Sequence, residues 1–136
     1  MSKKSIHASG KRKHAIARAT LSEGPGSIKI NNQLLGNYSN KIARLKILEP
    51  LKLATDTITK KINIKVKVSG GGFQSQAEAV RLAIAKGLVE YTKSDKLKTI
   101  FLDYDRHLLV ADTRRNEPCK PNDSGKPRRK RAKSYR

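Results

Sequence analysis

The residues of this chain that could do chemistry are mostly cations, and the chemistry they suit is neutralisation of phosphate. Of 136 residues, 31 are Lys or Arg and 11 are Asp or Glu, a formal net charge of +20. The groups that usually carry catalysis are few and poorly spaced for it. His7, His14 and His107 stand at no metal-ligand spacing to one another or to Cys119, the single cysteine, so surface or core histidine is the simpler reading. One cysteine allows no internal disulfide, and in its basic surroundings it reads as an incidental exposed thiol. Asp103 and Asp105 are two residues apart, a turn-like spacing rather than a paired acid and base. No G-x-S-x-G nucleophile elbow is present. Gly70-Gly71-Gly72 precedes a helical pattern and resembles a phosphate cradle, but neither G-x-x-x-x-G-K-[ST] nor G-x-G-x-x-G occurs. A sharp strand-to-helix turn that needs glycine is the favoured reading. No catalytic residue, metal or cofactor is expected, and an enzyme is not expected.

The charge is concentrated at the two ends. Residues 1–18 carry six basic groups and no acid, while residues 113–136 carry ten against Glu117 and Asp123. The last segment contains no Leu, Ile, Val or Phe. It cannot bury enough apolar surface to offset the entropy of ordering, and Pro118, Pro121 and Pro127 interrupt any helix. Fully extended it reaches about 80 Å at about 3.3 Å per residue. Such a segment suits a polyanion, because each neutralised phosphate releases a counter-ion. A membrane surface fits poorly, since the segment has no apolar face and the N-terminus carries no myristoylation glycine. With no long apolar run and no apolar signal core, a cytoplasmic location is expected.

The elements that must position these cations lie between the ends. Residues 6–10, 14–21 and 27–30 alternate at the strand period, with turns at residues 10–13 and 24–26, and short links suggest an antiparallel meander. Asn37 and Asn40 offer caps for a helix in which Ile42, Leu45 and Leu48 recur, and Pro50 ends, kinks or restarts it. Residues 61–68 are the clearest strand: Ile62, Ile64, Val66 and Val68 alternate with Lys61, Asn63, Lys65 and Lys67. The lysine face suits either solvent or RNA. Ser75 and Glu78 form an S-x-x-E capping box ahead of the longest helix, residues 74–92, whose buried stripe is Ala77, Val80, Ile84, Leu88 and Tyr91. A shorter helix spans residues 95–101, residues 108–111 form a short buried run, and apolar residues stop after Asp112. The expected fold is α+β: a two-layer α/β sandwich with an antiparallel-rich four-stranded sheet and helices on one face. Residues 1–112 form the globular domain and residues 113–136 an extended basic C-terminal tail. With six scattered aromatic rings and no stacking platform, contact with RNA should be through its backbone, not by sequence reading.

Three segments together resemble small-subunit ribosomal protein S9, in its archaeal or eukaryotic branch: GKRKHAIARATL at residues 10–21, GGGFQSQAEAVRLAIAKGLV at 70–89, and DTRRNEPCKP with KPRRKRAKSYR from residue 112 to the terminus. The resemblance implies a fold like the second domain of ribosomal protein S5, with a left-handed crossover, and a structural role in the head of the small ribosomal subunit. It implies that Lys11, Arg12, Lys13, Arg18, Arg114, Arg115, Lys120, Lys126, Arg128, Arg129, Lys130 and Arg131 meet rRNA. It further implies that the tail tip, with Lys133, Tyr135 and Arg136, approaches the anticodon stem-loop of P-site tRNA. Tyr135 departs from the basic residue usual there in bacteria. The implied partners are small-subunit rRNA, that tRNA and neighbouring head proteins. A basic protein that packages nucleic acid outside the ribosome is the alternative.

Overall fold

The computed structural model describes residues 5–38 and 40–119, together with Pro121 and Pro127. Among the described residues a five-stranded mixed sheet carries four α-helices. Strands β1 (Ser5–Arg12) and β2 (Ala15–Glu23) form an antiparallel hairpin, from Ser5 opposite Ser22 to Arg12 opposite Ala15. Strand β5 (Ile62–Ser69) pairs antiparallel with β2, and β3 (Ile28–Ile30) lies parallel on its other side. The two-residue β4 (Gln33–Leu34) closes the order β1-β2-β5-β3-β4.

The sheet therefore has one strand more than the expected four, and its first three strands do not form the expected antiparallel meander. Strand β5 stands between β2 and β3, because its alternating Ile62, Ile64, Val66 and Val68 pair on both edges and are buried against the helices. The fifth strand forms because Asn31 and Asn32 both adopt left-handed backbone, at φ 47 and 68, and turn the chain back on β3. Asn31 also extends the β3–β5 ladder. Its side chain accepts from Val68 N–H at 2.9 Å and donates to the Val68 carbonyl at 3.1 Å, while its own N–H donates to the Val66 carbonyl at 2.9 Å.

Helix α1 (Lys41–Leu53) and the short α2 (Asp56–Thr59) connect β4 to β5. Asn40 caps α1 as expected, accepting from the N–H groups of Ile42 and Ala43. Pro50 sits inside α1 and is buried. The buried stripe is Ala43, Ile47, Pro50 and Leu51, a rotation from the expected one that leaves Ile42 and Leu45 exposed. Helix α3 (Phe73–Thr92) packs on β1 and β2 with α1 at its side. Because it is covered on several sides, Ala79, Leu82, Ala83 and Ala85 are buried along with Ala77, Val80, Ile84 and Leu88. The expected Ser75 capping box does not form. Gly72 is the N-cap and makes no side-chain cap bond, and Glu78 is committed elsewhere. Helix α4 (Asp95–Tyr104) is capped by Ser94, and Phe101 and Leu108 complete the core. Of the expected run at 108–111, only Leu108 is fully buried and Val110 is exposed.

Three glycines govern how the layers meet. A methyl group at Gly10 would strike the Ala79 carbonyl oxygen and come within 2.8 Å of Ala83 N, so β1 can lie on α3 only as glycine. Gly70 and Gly71 have φ of 77 and 66 and turn the chain from β5 into α3 beside His14 and Ala15, as the turn reading requires.

Candidate nucleic-acid interface

Along the strands, buried residues alternate with residues turned away from the core, and that alternation decides what the outer sheet face shows. Outward from β1 stand Ser5, His7, Ser9 and Lys11; from β2, Ile16, Arg18, Thr20 and Ser22. From β5 stand Asn63, Lys65, Lys67 and Ser69, and from β3, Lys29. Five cations face out among these positions, and no carboxylate does. Register sharpens the field. Arg18 is directly opposite Lys67, and Lys29 directly opposite Lys65. Like charges so placed destabilise a sheet by about 0.2–1 kcal/mol per pair. His7, Ser9, Arg18, Thr20, Lys65 and Lys67 line a shallow trough in this face, with His7 Nδ1 3.1 Å from Thr20 Oγ1. An anion seated between these opposed cations would relieve their repulsion.

At the end of the same sheet, the β1–β2 turn adds Lys13 and His14. Lys13 is exposed and held left-handed at φ 52, a conformation that costs a non-glycine residue roughly 1 kcal/mol. Arg12 has a different environment. Its alternation faces the helices, and its side chain is only 18% exposed. Nε donates to Glu78 Oε2 at 2.7 Å, and Nη1 lies 2.8 Å from Asp112 Oδ2. Lys46 donates to the other Glu78 oxygen at 3.0 Å. Burial pushes the Glu78 carboxyl up, but hydrogen bonds and charge from Arg12 and Lys46 outweigh it and hold the group below its ordinary value.

Beside this network Arg81 bridges Glu49 at 2.6 Å and Asp105 at 2.9 Å, joining α1, α3 and the end of α4. Asp105 also accepts the His107 N–H at 2.9 Å. Burial raises the Asp105 carboxyl, and these donors overcome that and lower it. Asp112 accepts from the Arg114 side chain at 2.8 and 3.2 Å and from the Arg114 N–H at 2.9 Å, which with Arg12 holds it well below the usual carboxylate range. Arg115 then donates to the Lys13 carbonyl at 2.6 Å.

Residues 10–136 match the family model described as ribosomal protein S9/S16. The chain belongs to that family. It is 48% identical over 134 residues to proteins named small ribosomal subunit protein uS9 from Methanococcus maripaludis strain C7 and Methanococcus vannielii, matches that cover 98% of this chain and 99% of each relative. The S9 resemblance read from three segments is borne out.

Against this family background the implied site residues separate into groups. Lys11 and Arg18 lie on the open sheet face, and Lys13 at its end. Arg12 and Arg114 lie in the ion-pair network, though Arg114 remains 80% exposed. Arg115 reaches back to the β1–β2 turn. Lys120, Lys126, Arg128, Arg129, Lys130, Arg131, Lys133, Tyr135 and Arg136 lie outside the described residues. Sequence reasoning did not single out Lys29, which only the parallel β3–β5 pairing brings beside Lys65. Nor did it find Glu78, Asp105 and Asp112 as network acids, whose partners lie far along the chain. Among the described residues no group of three or more His, Cys, Asp or Glu side chains is placed to hold a metal ion. No described helix is long and apolar enough to cross a membrane.

Proposed function

We propose that this chain is a structural protein of the small ribosomal subunit, bound to rRNA through phosphate contacts and acting in the cytoplasm without catalysis of its own. The observation that carries the reading is the cationic sheet face, with no carboxylate among its described outward positions, in a chain whose relatives are named as small-subunit proteins. Lys11, Arg18, Lys29, Lys65 and Lys67 take the rRNA backbone on that face, with Lys13 at its end. Arg115, Lys120, Lys126, Arg128, Arg129, Lys130 and Arg131 continue the contact along the tail. Arginines give paired hydrogen bonds to phosphate and lysines act as point charges. Neighbouring proteins of the small-subunit head are the chain's other partners. The tip, with Lys133, Tyr135 and Arg136, contacts P-site tRNA; this part of the reading rests on family resemblance and basic composition.

Two experiments test the proposal. The purified protein should co-sediment with small subunits in high salt and prefer folded small-subunit rRNA to duplex DNA at physiological salt. Preference for duplex DNA would instead support a packaging protein. Deleting residues 126–136 should leave the domain's unfolding curve intact while weakening retention of P-site tRNA, and unchanged retention removes the tip from the account.

A further inference from the structure

We propose that Asp112 is a positioning residue that fixes where the cationic tail leaves the domain, so that the tail and the β1–β2 turn form one continuous track for RNA. The inference rests on the rRNA-binding reading and deepens it. Residues 113–119 are all exposed and hold no place through apolar burial. Polar contacts at the root set their course. The Asp112 carboxylate, only 12% exposed, lies between Arg12 and Arg114, each with a nitrogen 2.8 Å away. It also fixes the backbone at Arg114 through that residue's N–H. Three residues on, Arg115 grips the Lys13 carbonyl in the turn. Arg12, the anchor of this chain of contacts, is itself held by Glu78 of α3, which Lys46 of α1 secures in turn.

Simple charge counting assigns Asp112 the opposite effect. A carboxylate beside an RNA-binding surface repels phosphate, so neutralising it should tighten binding. A positioning role predicts that the same change weakens binding. Releasing the root restores backbone freedom that RNA must then remove, and ordering even one residue costs on the order of tenfold in affinity.

The test compares full-length wild type with Asp112→Asn, Asp112→Glu and Asp103→Asn, the last removing an exposed acid of α4 that lies outside the network. Binding to a folded fragment of small-subunit head rRNA is measured across a salt series. Asp112→Asn should bind about tenfold more weakly with an unchanged salt slope, since phosphate contacts are kept. Asp112→Glu should recover most of the loss, and Asp103→Asn should bind as well as wild type or better. The second readout needs no RNA and uses a nitroxide on Cys119, exposed and four residues beyond Arg115. At about 3.3 Å per residue the backbone of Cys119 stays within roughly 13 Å of that of Arg115. The label should broaden the amides of residues 11–15 in wild type and in Asp112→Glu, and lose that effect in Asp112→Asn. Asp112→Asn binding as tightly as wild type, or equal broadening in both, overturns the proposal. Should the Asn variant fail to unfold cooperatively, absence of broadening in wild type overturns it equally. Wild type that shows no salt-dependent rRNA binding overturns the functional reading instead, and the label still decides the position of the root.

Discussion

Replacing Lys65 and Lys67 together with glutamine should make the free protein more stable and its RNA complex weaker. Both lysines are exposed on β5, with Lys67 opposite Arg18 and Lys65 opposite Lys29, and no carboxylate stands among the outward positions to compensate. Opposed like charges cost about 0.2–1 kcal/mol per pair. Two solvent-exposed pairs should therefore return about 0.5–1 kcal/mol on neutralisation, visible as a higher urea midpoint at unchanged slope. If each lysine neutralises one phosphate, the slope of log K against log salt should flatten by about 1.4–1.8. At about 0.1 M salt that corresponds to roughly 25- to 60-fold weaker binding of a folded small-subunit rRNA fragment. Filter binding from 50 to 200 mM salt reads the second quantity and urea unfolding the first. A variant less stable than wild type, or one whose salt slope is unchanged, refutes the assignment of this face.

Lys13→Gly should stabilise the domain by about 0.5–1 kcal/mol in urea unfolding, because glycine carries no penalty at its left-handed backbone, while weakening rRNA binding through loss of a cation. Asn31→Ala should cost about 2–4 kcal/mol, measured by chemical denaturation, because it removes both side-chain bonds to Val68 and leaves a methyl at φ 47. Gly10→Ala should cost about 3 kcal/mol or prevent folding, read by thermal unfolding, because its methyl meets the α3 backbone. Glu78, Asp105 and Asp112 all have carboxyls lowered in the fold, from ordinary values of 4.5, 3.8 and 3.8. Their stabilisation is complete above those values and is lost as pH falls through the lower folded ones. The urea midpoint should thus hold steady from neutral pH to about pH 5 and fall below it, and Glu78→Gln should shrink the acid-induced drop.

The elements that could be read from sequence are those whose signal is local. Strand β5 declares itself through four alternating apolar residues, α3 through apolar residues three and four apart, and α1 through the Asn40 cap. What could not be read depends on partners distant in sequence. The position of β5 between β2 and β3 follows from two-sided pairing, and short links between the first three strands pointed the other way. Strand β4, only two residues long, carries no periodicity. Ser75 and Glu78 have capping-box spacing, but two cations compete for the Glu78 carboxylate and win. The site shows the same division. A basic run such as Gly10-Lys11-Arg12-Lys13 marks a cationic surface, yet the contacts of Arg12 with Glu78, 66 residues away, and with Asp112 separate the arginine committed to the network from the lysines left open to RNA.

The most direct measurement is lysine acetylation in the intact small subunit, compared residue by residue with the free full-length protein. The account predicts that Lys29, Lys65 and Lys67 react readily in the free protein and are shielded in the particle by rRNA. Equal reactivity of these three lysines in both states would contradict it.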